Sequence, residues 1–105
     1  MSAVSKRNTL IGAVIAVAII IVLLEVSAPD GAELFRTRGC IGCHSFKGRG
    51  GAIGPDLTAV THRRSRGWIR DQIKNPRLHN PNTVMPSFSQ LSWREVNALI
   101  NYLNS

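Results

Sequence analysis

Residues 10–24 read LIGAVIAVAIIIVLL, an uninterrupted apolar run that follows Lys6 and Arg7. This run constrains the chain more than any other feature. A helix apolar on every face needs an apolar surround, and the chain after position 28 is too polar to provide one. That later stretch holds eight of the nine glycines and all five prolines. Two readings of the head compete. As a signal peptide it has a basic start, a long apolar stretch and Val26-Ser27-Ala28 as a small-residue cleavage site. As a retained anchor it reaches spanning length by adding Thr9, Val26 and Ala28, with Glu25 at the far interface. Pro29, next after the cut, fits a protease groove badly, and this favours the anchor. Either way, Lys6 and Arg7 keep the N-terminus in the cytoplasm. The expected location is the bacterial inner (cytoplasmic) membrane, with residues 29–105 on the periplasmic side. No cysteine ends the segment, so a lipid anchor is not expected.

The expected organisation is therefore a signal-anchor over 1–28 and one small domain over 29–105. A domain of this size buries little surface for its length and often needs a staple. There is no internal repeat, and GRGGAIGP (residues 48–55) lacks the Lys and flanking strand of a phosphate loop. Three helices are expected. Asp30 caps the first, which runs through about Arg38 with Leu34 and Phe35 inward and Gly39 at its end. Ser65 caps the second, with Trp68, Ile69 and Ile73 inward and Pro76 closing it. Ser92 and Glu95 form a capping box for the third, with Leu91 and Val96 as its staple. Val96, Leu99, Ile100 and Leu103 then recur at helical spacing. No stretch alternates as a strand does, so the fold class is all-α. Residues 45–64 and 76–91 are long irregular segments, a sign that they wrap something.

Cys40-Ile-Gly-Cys-His44 carries the chemistry. A disulfide across two residues staples little. Zinc needs further ligands at a usual spacing, and His62 and His79 stand too far apart in the chain to supply it. A thioredoxin-like pair needs a βαβ context that is missing. The fourth reading is covalent haem c, one per chain. Two thiols on one helical turn reach its two vinyl groups, and His44 is brought under the iron. Met85, the one methionine besides the initiator, sits in a polar stretch with no helical stripe to explain it. It is the first choice for the sixth ligand, ahead of a gap-filling role and of His62 or His79. His44/Met85 ligation leaves no open position and points to electron transfer.

Together with Cys40-Ile-Gly-Cys-His44, the chain carries Gly54-Pro55-Asp56-Leu57, Trp68, Asn75-Pro76, Met85-Pro86-Ser87-Phe88, Leu91-Ser92 and a closing Ala98-Leu99-Ile100-Asn101-Tyr102-Leu103. Over most of 31–103 this resembles a class I cytochrome c. The wording is closest to the cytochrome c domain of subunit II of bacterial haem–copper oxidases, and more loosely similar to the small subunit of nitric oxide reductase. The resemblance implies a small fold of three or more helices around covalent haem, preceded here by one transmembrane helix. It implies Cys40 and Cys43 as thioether sites, His44 and Met85 as metal ligands, and the Pro55 carbonyl accepting from the His44 ring. It also implies Trp68 beside the haem, its indole within reach of a propionate. Both cysteines lie in the haem motif, so the copper domain of such a subunit is not expected within these residues.

Residues 29–105 carry 11 basic and 5 acidic side chains. Arg63, Arg64, Arg66 and Arg70 form either a solvated face or a docking face for an acidic redox partner or anionic headgroups. Arg63 is the choice for neutralising a haem propionate. Nucleic acid is not expected in an exported domain without an aromatic reading surface, and no small-molecule substrate is expected. Trp93 reads as a packing or surface aromatic, and Tyr102 as closing the core on the first helix. The expected function is a membrane-anchored cytochrome carrying single electrons in a respiratory chain, an electron-transfer protein rather than an enzyme. The alternative is a bound haem subunit of a larger membrane oxidoreductase, with Gly12, Ala13, Ala16 and Ala18 permitting close helix contact. A haem sensor or peroxidase is the third reading, and it requires an open sixth position.

Overall fold

The computed structural model describes residues 3–26 and 28–105. Ser27, at the centre of the expected cleavage triplet, lies outside the described residues, as do the side chains of Glu25 and Val26. Helix α1 (Ala3–Val26) is continuous over 24 residues, roughly 36 Å at 1.5 Å per residue. It starts well ahead of Thr9, because residues 5–8 hold no helix breaker and Thr9 Oγ1 donates back to the Ser5 carbonyl at 3.0 Å. Its Ala3–Leu24 stretch has mean hydropathy 2.4, long and apolar enough to cross a membrane. Residues 10–24 are exposed on every face, which rules out a core helix of the folded body.

Helix α2 (Gly31–Thr37) starts where expected. The Asp30 carboxylate accepts from the Ala32 and Glu33 N–H groups at 3.0 and 3.3 Å, and the chain leaves through Gly39 at φ 84°. Helix α5 (Arg66–Lys74) is capped by Ser65 Oγ, which accepts from the Trp68 N–H. Helix α6 (Trp93–Leu103) has the full reciprocal box between Ser92 and Glu95. Its Val96, Leu99, Ile100 and Leu103 are buried with Phe35, Phe46, Val60, Ile69 and Leu91. Each large apolar side chain sealed in this way contributes about 1.5–3 kcal/mol. The start of α2 crosses α6 so closely that a Cβ at Gly31 would collide with the Ala98 carbonyl oxygen. Phe35, Phe46 and Tyr102 form an aromatic triad with centroids 4.9–6.2 Å apart, so Tyr102 does close the core on α2. Trp93 is half exposed, with the Arg70 guanidinium 4.3 Å from its ring centre.

The body is not purely α. Strands β1 (Ser45–Phe46) and β2 (Arg49–Gly50) pair antiparallel, with Ser45 opposite Gly50 and Phe46 opposite Arg49. Two residues per strand are too few to show alternation. The signal is in the turn, where Lys47 and Gly48 both have positive φ (52° and 82°), as a tight hairpin requires. Short helices α3 (Cys40–Cys43) and α4 (Val60–Arg63) and a 3₁₀ turn at Pro76–Leu78 complete the body. The hairpin, α4 and the 3₁₀ turn lie in the segments expected to be irregular throughout.

Candidate cofactor-binding cleft

The single turn of α3 puts Cys40 and Cys43 three residues apart and so on one face. His44 leaves the turn in extended geometry (φ −109°, ψ 139°), with its N–H still bonded to the Cys40 carbonyl. The following loop is fastened back on this turn. The N–H groups of Gly51, Gly54 and Leu57 donate to the carbonyls of Ile41, Cys43 and Ser45 at 2.7–2.9 Å. Two glycines make that possible. A Cβ on Gly51 would collide with the Gly42 carbonyl oxygen, and one on Gly54 would lie 2.6 Å from His44 Cε1.

The fastened loop presents the Pro55 carbonyl to His44 Nδ1 at 2.8 Å. A carbonyl only accepts, so Nδ1 carries the hydrogen and Nε2 keeps the lone pair that a metal needs. His44, Cys40 and Cys43 line one cleft of about 500 Å³, together with Met85 from the far segment and Trp68 from α5. The rest of its wall is mostly apolar, from residues such as Phe35, Val60, Ile69 and Leu99. His62 and His79 are not part of the wall.

The other expected cofactor residues stand as follows. Pro55 lines the cleft, and so does Arg63. The Arg63 guanidinium donates to the carbonyls of Thr58 at 2.7 Å and Asp56 at 3.1 Å, which gives it a loop-bracing job that the sequence does not signal. Trp68 stacks on His79 at 4.1 Å and 6°, and the Arg64 guanidinium lies 4.3 Å from the Trp68 ring centre. The Thr58 hydroxyl and N–H hold the Asp56 carboxyl below the usual carboxylate range, with Arg63 adding a weaker pull.

Gln72 is the residue that sequence reasoning missed. It lies one helical turn beyond Trp68 on the same face of α5, and its Nε2 donates to Met85 Sδ at 3.3 Å. The spacing from Trp68 was the available signal.

The rival readings of the cysteines find little support here. The two thiols are not joined. Burial pushes the Cys40 thiol up, the opposite of an activated redox nucleophile. Among the described residues, no three His, Cys, Asp or Glu side chains cluster to hold a metal ion.

Comparison with known proteins places the chain in a family. The chain is 33% identical over 93 residues to the protein named cytochrome c oxidase subunit 2 of Alkalihalophilus pseudofirmus, a match covering 77% of this chain. It spans about a quarter of that relative's length (26%). The family model for cytochrome c matches residues 28–105, and the chain thus belongs to the cytochrome c family of haem-binding electron-transfer modules.

Proposed function

We propose that this chain is a membrane-anchored monohaem cytochrome that carries single electrons in a respiratory chain. The observation that carries the reading is the meeting of Cys40, Cys43, His44 and Met85 on one largely apolar cleft. These residues fit a haem. Cys40 and Cys43 would hold it through thioether links to its vinyl groups, and His44 Nε2 and Met85 Sδ would ligate its iron. When bound, the haem supplies a one-electron ferric–ferrous couple. His44 is kept in one tautomer by Pro55, which fixes the ring and strengthens its donor nitrogen. As the second protein ligand, Met85 would leave no open position for a substrate. The apolar wall keeps water from the centre, which with His/Met ligation favours a raised potential.

Residues 29–105 are the electron-transfer domain, and 1–28 tether it. The length and hydropathy of α1 support a retained anchor. Lys6 and Arg7 favour a cytoplasmic start for it, with the haem domain outside. Surplus basic charge suits an acidic redox partner. The likeness to an oxidase subunit favours one second reading, residence as a haem subunit in a larger membrane oxidoreductase. Co-purification after mild detergent extraction supports that reading, and isolation of a lone chain counts against it.

The deciding measurement is the optical spectrum of the protein from native membranes. We expect a c-type haem spectrum and a weak red sulfur–iron band in the ferric form, lost in Met85→Ala. Cys40→Ala with Cys43→Ala should leave no covalent haem. Binding of carbon monoxide by the reduced native protein would overturn Met85 ligation in favour of a sensor or peroxidase.

A further inference from the structure

The sulfur of Met85 is one end of a chain of contacts that runs out of the cleft. Gln72 Nε2 lies 3.3 Å from Met85 Sδ, Gln72 Oε1 lies 2.7 Å from His79 Nδ1, and the His79 imidazole lies flat on the Trp68 indole at 4.1 Å. The polarity of this chain follows from its inner end. A thioether sulfur only accepts, so the amide must offer it the NH₂ group. That leaves Oε1 facing His79, and a carbonyl oxygen requires a hydrogen on Nδ1.

We infer that His79 is a positioning residue for the sixth ligand, holding the Gln72 amide in the orientation that donates to Met85. This rests on Met85 being that ligand. An amide released from His79 can turn over and present its oxygen to the sulfur, where lone pair meets lone pair. Held in place, the N–H engages one lone pair of the thioether and leaves the other for the metal. It also draws electron density from the sulfur, which favours the reduced state and raises the potential. Trp68 contributes by fixing the imidazole plane. His79 thus acts two contacts away from the sulfur, from outside the cleft wall.

The test compares His79→Phe, which keeps a ring to lie on Trp68 but has no Nδ1, with Gln72→Leu and with the double variant. Potentials are read by redox titration of the haem-loaded proteins, alongside the ferric sulfur–iron band. We expect His79→Phe to lower the potential, Gln72→Leu to lower it further or equally, and the double variant to match Gln72→Leu alone. An unchanged potential in His79→Phe, or a double variant showing the sum of the two shifts, overturns the inference. Nitrogen chemical shifts of the His79 ring in the reduced wild-type protein give a readout that needs no variant. A protonated Nδ1 is expected, and a bare Nδ1 overturns the clamp. The two levels fail separately: a wild-type ferric spectrum without the sulfur band removes Met85 as ligand, whereas a normal band with an indifferent His79→Phe removes only the positioning role.

Discussion

The two sides of the cleft are built by different means. On the His44 side, backbone bonds from Gly51, Gly54 and Leu57 join the loop to residues 41–45, and glycines let main chain touch main chain. On the Met85 side the bonds come largely from side chains. Thr83 Oγ1 accepts from the Met85 N–H at 3.2 Å, Ser87 Oγ donates to the Lys74 carbonyl at 2.5 Å, and Gln72 reaches the sulfur. One backbone bond, from the Phe88 N–H to the Ile73 carbonyl, ties this side to α5. Side-chain ties are more easily rearranged than backbone ones, so the Met85 side should open first. A rigid imidazole and a releasable thioether would then be properties of the two walls rather than of the two proposed ligands.

The strongest way to break this contrast is Gly51→Ala. Its new methyl meets backbone rather than a flexible side-chain tip, and the crowding should cost about 1–3 kcal/mol. Gly42→Ala serves as its control, since a Cβ there meets nothing within 4 Å. Denaturant unfolding of the haem-loaded proteins should show a lower midpoint in the first and little change in the second. Next in size is Ser92→Ala, which removes the cap of α6 and should cost about 1 kcal/mol. Because α6 lies behind both walls, haem absorbance and the sulfur band should move to lower denaturant together.

Ser87→Ala sharpens the comparison. It removes one exposed tie of the Met85 side, worth about 0.5–1.5 kcal/mol. The sulfur band should vanish at lower denaturant while the global midpoint stays close to that of the unaltered protein. Simultaneous loss of both signals would show that the two walls open as one.

The smallest expected effect is in the acid limb. The Ser92 N–H and hydroxyl hold the Glu95 carboxyl below the usual range, with Arg38 helping. A carboxyl depressed on folding stabilises above its unfolded pKa of about 4.3, and that stability is lost as pH falls through the folded value. Glu95→Gln keeps an acceptor for the capping box but cannot titrate. The variant should be slightly less stable at neutral pH, and its thermal midpoint should converge on that of the unaltered protein as pH falls through the lowered value of the folded Glu95 carboxyl.

Much of this was legible along the chain because the signals are local. Asp30, Ser65 and Ser92 cap helices through bonds to residues two or three positions away, and that spacing can be read directly. Val96, Leu99, Ile100 and Leu103 mark a buried face by period alone. The hairpin at residues 45–50 was missed because two-residue strands have no period, and its turn depends on Lys47 accepting a positive φ that the residue type does not advertise.

The cofactor motif, the family it signals and an apolar head able to span a membrane were all determined by the sequence, because each is a matter of residue type at short spacing. Tertiary structure alone decided that Gly51 and Gly54 must be glycines, that Arg63 braces carbonyls of the loop, and that His79 stands behind Gln72 rather than in the cleft. Those facts come from contacts between residues five to ten positions apart, beyond any helical or strand period, set by how the loops fold back on α3, α4 and α5. No local spacing encodes them.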